Sequence, residues 1–157
     1  MIIKGITDED FLNYKKPALF IAFPYCDFKC DKENGNQICQ NSSLAYASNK
    51  SIEVDELVKR YLENDISQAI VCGGLEPLES FGELLTLLET LRKYSQDDFV
   101  IYTGFNESEI EIQLTLLKQY PNVIVKFGRF IPGYKPHFDP VLGIELASDN
   151  QFAKVIS

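Results

Sequence analysis

Residues 19–30 read LFIAFPYCDFKC, an apolar run followed by a proline and two cysteines. Three more apolar runs, rich in β-branched and aromatic residues, follow it along the chain. Their nearly continuous apolar character is typical of strands that are covered on both faces. We therefore predict four buried strands, at Leu19–Phe23, Ala69–Cys72, Phe99–Tyr102 and Val123–Phe127.

Segments with helical periodicity separate these strands. Residues 54–62 carry apolar side chains at helical spacing, residues 80–83 match a capping box before a leucine-rich segment, and residues 107–119 carry a third apolar face. Strand–helix–strand repetition with short joins predicts right-handed crossovers and a parallel sheet. In the tail we expect two further strands, at Val141–Leu146 and Phe152–Ile156.

The composition is that of a soluble globular protein, with 157 residues of which 45% are apolar and 24% charged. This length suits one domain, and no repeat or linker divides it, so we expect a single α/β domain over residues 1–157. No run of 18 apolar residues and no secretory signal is present, which predicts a cytoplasmic protein without a membrane partner. The formal net charge of −8 argues against a general nucleic-acid binder.

Cysteine usage points to a metal. Cys26, Cys30 and Cys39 lie within 14 residues of one another, and in a reducing compartment such a cluster indicates metal binding or catalysis rather than disulfides. A structural zinc site would need a fourth ligand. Cys72 ends a buried strand and is expected to be a core residue, and His137 is expected to be a solvated side chain. Three thiolates without an obvious fourth ligand favour a [4Fe–4S] cluster with one open iron.

Polar and glycine-rich segments follow the predicted strands. Gly73 and Gly74, then Glu76, come after the second strand, and Thr103 comes after the third. Ligands bind at the carboxyl ends of parallel strands, so we expect these residues to meet the cysteine segment at one edge of the sheet. The glycine pair fits either a tight turn or a backbone that approaches a ligand. Exposed backbone groups there, with the Glu76 carboxylate, would suit an amino-acid-like ammonium and carboxylate.

Together these features resemble the radical S-adenosylmethionine superfamily, and within it the activating proteins of anaerobic ribonucleoside-triphosphate reductases. The resemblance covers most of the chain. The superfamily's three-cysteine motif is similar to Cys26, Cys30 and Cys39, and its Gly-Gly-Glu-Pro motif is similar to residues 73–77 with Leu75 inserted. Residues 100–105 are similar to the family's third strand and its Thr-Gly turn.

The resemblance also implies further contacts with S-adenosylmethionine. Asn41 is similar to the family's asparagine after the third cysteine, and Ile38 to the apolar residue before it that packs near the adenine. Residues 147–151 are similar to a Ser-Ser-Asn-Gln segment. The implied binding residues are Ile38, Asn41, Gly73, Gly74, Glu76, Thr103, Ser148 and Asn150.

Three departures from the family pattern stand out. Eight residues separate Cys30 from Cys39 where the family has two, and the extra residues centred on Gly35 predict a surface excursion that must fold back. The inserted Leu75 moves Glu76 by one position. After the fourth strand the family often carries Asp-Gly, whereas this chain reads VKFG over Val125–Gly128, so no role of that aspartate is carried over.

The implied activity is reductive cleavage of S-adenosylmethionine to a 5′-deoxyadenosyl radical, which generates a glycyl radical on a large partner enzyme similar to anaerobic ribonucleotide reductase. A flavodoxin or ferredoxin-type donor would supply the electron. The chain is too short for a closed eight-stranded barrel of about 250 residues, so the implied fold is an open, partial parallel β/α barrel. An open barrel suits a macromolecular substrate whose own loop enters the site.

Two alternatives remain open from the sequence. One is a radical S-adenosylmethionine enzyme that modifies another peptide or a small molecule. The other is a non-catalytic zinc or iron–sulfur interaction module, in which the cysteines have a structural role.

Overall fold

Strands and helices alternate along the chain in the structure, a computed structural model that describes residues 1–157. The strands are β1 (Ile2–Ile3), β2 (Gly5–Asp10), β3 (Ala18–Phe23), β4 (Lys50–Ser51), β5 (Ala69–Gly74), β6 (Asp98–Tyr102), β7 (Val123–Phe127), β8 (His137–Asp139), β9 (Ile144–Leu146) and β10 (Phe152–Val155). The α-helices are α1 (Lys29–Asn34), α2 (Val54–Leu62), α3 (Phe81–Arg92) and α4 (Glu111–Leu117). Short 3-10 turns occupy Ser42–Tyr46, Pro77–Ser80 and Glu107–Glu109.

Six strands form one sheet, in the order β10-β7-β6-β5-β3-β2. The four middle strands are parallel, and the two edge strands are antiparallel to their neighbours. Each of the four predicted apolar runs forms one of the parallel strands, so that prediction is confirmed. The two edge strands do not pair with each other, and the sheet is therefore open rather than closed into a barrel.

The three longer helices cover one face of this sheet. Leucines of α3 and α4 belong to the same buried cluster as Ile21, Ile70 and Ile101 on alternate positions of three parallel strands. The parallel strands lie side by side in chain order, so successive right-handed crossovers place their helices on the same face. This winding differs from a doubly wound sheet, which carries helices on both faces.

The chain's own loops and tail cover the opposite face. Tyr14, Leu142 and Leu146 pack there against strand residues such as Val71 and Val100. The Tyr14 hydroxyl donates a hydrogen bond to Asp98 at the start of β6 (2.9 Å). This face is therefore filled by side chains of the protein itself.

Several local predictions need correction. Ser80 does not form the predicted capping box: its φ of −118° and ψ of 41° lie outside the extended region that an N-cap serine needs, because a 3-10 turn runs directly into α3. A real capping box forms instead at Asn106 and Glu109. The predicted helix over 107–119 is divided at Ile110 into a 3-10 turn and α4.

The amino-terminal edge strand was missed by the sequence analysis. β2 reads GITDED, and glycine and aspartate are depleted in strands. It forms nevertheless, because pairing with β3 satisfies its backbone while its outer side chains stay partly in solvent. In the tail, β10 confirms the strand predicted at Phe152–Ile156, whereas Val141–Leu146 forms only β9, paired with β8 in a separate ribbon.

None of the helices has the length and apolar character that crossing a membrane requires.

Candidate metal centre

The loops that follow the parallel strands meet at one edge of the sheet, as predicted. The backbone N–H of Glu76, after β5, donates to the carbonyl oxygen of Tyr25, after β3 (2.8 Å). The N–H of Gly104, after β6, donates to the Glu76 carboxylate (2.9 Å), and the N–H of Gly128, after β7, donates to the carbonyl oxygen of Phe105 (3.2 Å). Four loops are thus joined by hydrogen bonds at the carboxyl ends of the strands.

A small cleft opens at this edge. Its lining includes both early cysteines, Glu76 and residues of the loops after β6 and β7: Cys26, Cys30, Glu76, Gly104, Phe105 and Arg129. Thiol, carboxylate and guanidinium groups therefore face one small space.

The first two cysteines are placed by a tight turn at the start of α1. Phe28 adopts a left-handed backbone conformation, with φ of 54°. Its N–H donates to Sγ of Cys26 (3.3 Å), and the N–H of Lys29 donates to the Asp27 carboxylate (3.1 Å). Cys30 follows in the first turn of the helix, so the two thiols lie on neighbouring parts of the loop.

Asp31 brings the third cysteine back beside the second. One oxygen of its carboxylate accepts hydrogen bonds from the N–H groups of Ile38 (2.8 Å) and Cys39 (2.7 Å). The helix α1 ends at Gly35, whose φ of 78° lets the chain reverse. The Asp31 side chain thereby joins the two ends of the long segment between Cys30 and Cys39. The predicted surface excursion does fold back.

The three loop thiols are free and half-buried. Burial raises the pKa of Cys26 to about 11, and burial followed by the neighbouring Cys39 raises the pKa of Cys30, against the opposing effect of the Arg129 charge. No three side chains of the Cys, His, Asp or Glu type lie close enough together to hold a metal ion in this arrangement. A bound metal would therefore have to draw the thiols together and deprotonate them.

Neither Cys72 nor His137 lies on this loop. Cys72 is fully buried in the helix-covered core, and burial raises the pKa of its thiol, as the prediction of a core residue requires. His137 lies in β8, half-buried, with its Nε2 atom 2.6 Å from the carbonyl oxygen of Gln151. It is therefore not the freely solvated side chain that the sequence predicted, because the tail folds back onto it.

Glu76 and Thr103 serve the protein's own backbone. The Glu76 carboxylate is buried and accepts from the N–H of Leu78 (3.1 Å) as well as from that of Gly104. Burial raises its pKa, and these hydrogen bonds oppose that shift. Thr103 is buried, and its hydroxyl accepts from the N–H of Phe105 (3.1 Å). Both side chains hold the edge loops in place, and their contact with a ligand stays a prediction.

The glycine pair is explained first by packing. A Cβ atom on Gly73 would lie 3.0 Å from the ring of Phe20, and one on Gly74 would lie 2.8 Å from the Ala22 Cα atom. Gly74 also has a φ of 83°. The close approach of β5 to β3 therefore requires glycine at position 74, whereas a side chain at position 73 would displace the Phe20 ring. Contact of either glycine with a ligand stays a prediction.

The other predicted binding residues lie in two places. Ser148 and Asn150 fasten the tail to the segment after β7: the Ser148 hydroxyl accepts from the N–H of Ile131 (3.3 Å), and Asn150 Nδ2 donates to the carbonyl oxygen of Arg129 (2.8 Å). Asn150 Oδ1 is buried and has no hydrogen-bond partner. Ile38 is half-buried beside Cys39, whereas Asn41 is exposed.

The sequence analysis did not assign roles to three charged residues at this edge: Lys126, Arg129 and Glu109. The Lys126 side chain is buried, its ammonium group donates to the carbonyl oxygen of Gly128 (2.9 Å), and burial lowers its pKa to about 8. A lysine inside the apolar run VIVKF was the available signal. Arg129 and Glu109 are remote in sequence and gave no signal.

Comparison with known families identifies the class of the protein. A family described as "4Fe-4S single cluster domain" matches residues 17–142, which is most of the chain, and this protein belongs to that family. The matched range contains the three loop cysteines and all four parallel strands. No curated protein and no solved structure matches the chain.

Membership of this family supports a [4Fe–4S] cluster. The donor set fits such a cluster, because three free thiols on one half-buried loop are the soft ligands that iron–sulfur clusters use.

Proposed function

We propose that the chain is a radical S-adenosylmethionine enzyme of the activating type, with Cys26, Cys30 and Cys39 as the cluster ligands. The observation that carries this proposal is the number of suitable ligands. Three thiols share one loop, while the remaining cysteine lies in the core and the one histidine contacts the tail. A cluster held in this way keeps one iron for a ligand that the protein does not supply.

When bound at that iron, S-adenosylmethionine would supply a 5′-deoxyadenosyl radical on one-electron reduction. The chain's own residues would orient it. Gly74 ends β5 two residues before Glu76, which lines the cleft, and Asn150 Oδ1 is a buried acceptor without a hydrogen-bond partner. Glu76 and Thr103 would act mainly by fixing the loops after β5 and β6, because their oxygens already accept backbone hydrogen bonds.

The proposed substrate is a glycine of a large partner enzyme, similar to anaerobic ribonucleotide reductase, with a flavodoxin or ferredoxin-type electron donor and a cytoplasmic location. The face of the sheet opposite the helices is covered by the protein's own loops and tail, and this supports a macromolecular substrate. Tyr14, Leu142 and Leu146 occupy the side on which an open barrel would hold a small molecule. A substrate would therefore approach over the edge that carries the cysteines, where a partner's loop can reach.

A non-catalytic cluster-binding module is the second candidate. It is favoured by Glu76 and Thr103, whose side-chain oxygens are used inside the protein. In that case the cleft would be only the contact surface of a bound cluster.

Anaerobic reconstitution with iron and sulfide, followed by dithionite and S-adenosylmethionine, separates these candidates. We expect a brown protein that forms 5′-deoxyadenosine and methionine in equal amounts. Cys39→Ala should abolish both products, and Cys72→Ala, the matched control in the core, should keep them. A brown protein without products would support the module, and a colourless protein that retains one zinc ion would contradict the proposed cluster.

The partner is tested separately. The reduced protein, mixed with a candidate glycyl-radical enzyme and S-adenosylmethionine, should give an electron paramagnetic resonance signal of a glycyl radical on the partner. Turnover of a small molecule by the chain alone would contradict the proposed macromolecular substrate.

A further inference from the structure

Arg129 occupies an unusual position for a charged side chain. It follows β7, its side chain is only 9% exposed, and it lines the same cleft as Cys26 and Cys30. Its guanidinium lies 5.6 Å from the centre of the Phe105 ring. A cation is therefore held against the cysteine segment by surrounding structure rather than extended into solvent.

Glu109 binds this cation with the geometry of a bidentate pair. Arg129 Nη1 donates to Glu109 Oε2 (3.0 Å), and Nη2 donates to Oε1 (2.9 Å). Glu109 also lies 3.8 Å from the ammonium group of Lys29, which itself lies over the Phe105 ring. A planar fork of this kind fixes the position of the guanidinium in a way that a single point charge does not.

The Arg129 side chain lies close to the proposed cluster ligands, because it lines the same cleft as Cys26 and Cys30. Its positive charge opposes the effect of burial, which raises the pKa of Cys30. Glu33, on the inserted helix α1, lies 3.6 Å from Arg129 Nε, but its side chain is 61% exposed. One buried cation thus connects the segment after β7, the helix that carries Cys30 and the turn that carries Glu109.

We propose that Arg129 is a positioning residue whose charge sets the reduction potential of the cluster bound at Cys30, with Glu109 as the opposing charge. This inference rests on the cluster assignment in the proposed function and does not depend on the cleavage of S-adenosylmethionine.

The physical reason is the charge that reduction adds. One electron from dithionite makes the cluster more negative by one unit, so a fixed cation nearby favours the reduced state and a fixed carboxylate opposes it. Burial strengthens both effects, because the effective dielectric constant is lower there than in water. Removing Arg129 and removing Glu109 should therefore move the potential in opposite directions.

The experiment is a redox titration of the reconstituted protein, followed by electron paramagnetic resonance in the absence of S-adenosylmethionine. Arg129→Gln should lower the midpoint potential, and Glu109→Gln should raise it. We expect each change to alter the reduced-to-oxidised ratio at a fixed potential by about tenfold, or about 59 mV for a one-electron couple. Arg129→Lys should stay closer to the wild type than Arg129→Gln, since it keeps the charge.

Glu33→Gln is the matched control, because it removes the same charge at a more exposed side chain with a longer contact to Arg129, and it should give the smaller rise. Shifts of both principal variants in the same direction would overturn the inference, since a loosened loop has that effect. Unchanged potentials would overturn it as well. If Arg129→Gln binds no iron, Glu109→Gln and Arg129→Lys decide the question: Glu109→Gln should raise the midpoint potential while Arg129→Lys, which keeps the charge, stays near the wild type, and a Glu109→Gln potential equal to that of the wild type would overturn the inference.

The outcomes distinguish this inference from the proposed function. Opposite shifts in a protein that does not cleave S-adenosylmethionine would support the role of Arg129 and contradict the proposed chemistry. Formation of 5′-deoxyadenosine by variants with unchanged potentials would support the proposed function and contradict the role of Arg129.

Discussion

Two helices of this protein are stabilised in different ways. The twelve-residue α3 buries Leu84, Leu87, Leu88, Thr90 and Leu91 against the sheet. The six-residue α1, which carries Cys30, has no buried residue at all. Apolar contacts determine where α3 lies, whereas hydrogen bonds and ion pairs determine where α1 lies.

The difference shows that the stability of the fold and the geometry of the site have separate sources. A six-residue helix is too short to be stable alone in water, so α1 depends on its polar contacts. Asp31 supplies hydrogen bonds, and Lys29 and Glu33 supply ion pairs with Glu109 and Arg129. Directional contacts of this kind set ligand positions, while non-directional apolar burial supplies most of the folding free energy. We therefore expect core substitutions to change mainly the stability of the fold, and substitutions of the polar contacts to change mainly metal binding.

The largest expected effect is on iron content. Cys39→Ala removes one of the three proposed thiolate ligands, so the reconstituted variant should lose essentially all of its cluster absorbance and iron. Its apo form should unfold at nearly the same urea concentration as the wild type, because Cys39 lies on the half-buried loop. Retention of a full complement of iron would show that the loop is not the metal site.

The second prediction concerns the core. Leu87→Ala should lower the free energy of unfolding by about 2–5 kcal/mol, since it leaves a cavity under α3. Urea denaturation followed by circular dichroism measures this change. Ile112→Ala, at a position that is 77% exposed on α4, is the control and should change the free energy by less than about 0.5 kcal/mol. A Leu87→Ala protein that folds but binds no iron would show that packing in the core also determines the geometry of the site.

The third prediction concerns the closure of the inserted segment. Asp31→Ala removes the acceptor for the N–H groups of Ile38 and Cys39, so iron affinity should fall about 10- to 100-fold, as for outer ligands of other metal sites. Competition with an iron chelator measures this affinity. Lys32→Ala, at the next and exposed position of α1, should leave it unchanged. Equal affinities for wild type and Asp31→Ala would mean that the metal alone organises the segment.

The fourth prediction is a pH dependence of stability at Lys126. Burial lowers its pKa from 10.5 to about 8, so between these values the unfolded chain binds more protons than the folded one. This group therefore makes stability rise as pH increases from about 8 towards 10.5. Lys126→Met should be more stable than wild type at pH 7 and should lack this rise.

The wild-type curve also contains contributions from other groups, so the test is the difference between the two proteins. Burial raises the pKa of Tyr61 and of Tyr102, which lowers stability at still higher pH in both proteins. Urea denaturation at several pH values from 7 to 10 gives that difference. Parallel curves would show that Lys126 keeps its ordinary pKa.

The sequence predicted the parallel strands well because these strands are buried on both faces. Their apolar runs are continuous, and that signal is strong. β2 was missed because one strand at the edge of a sheet tolerates polar residues on its solvent side. The Ser80 capping box was wrong because local motifs do not report how the preceding turn enters a helix.

The sequence proposes the cluster ligands, whereas it gives no sign of the residues that hold the cysteine segment in place. Three closely spaced cysteines identify soft-metal ligands by chemistry alone. The contacts that hold them come from residues whose roles depend on distant partners, such as Arg129 with Glu109. No spacing rule connects such residues before the chain is folded.

The sequence by itself therefore determined which apolar runs must be buried as strands and which polar or cysteine-containing segments follow them. It also determined a set of thiols suited to an iron–sulfur cluster. Only the tertiary structure decided how these segments meet. It showed that Asp31 closes the inserted segment, that the tail fills one face of the sheet, and that a buried arginine lies beside Cys30. The reason is that hydrophobicity and ligand chemistry are properties of residues, whereas hydrogen-bond partners and local fields depend on distances between residues that folding alone brings together.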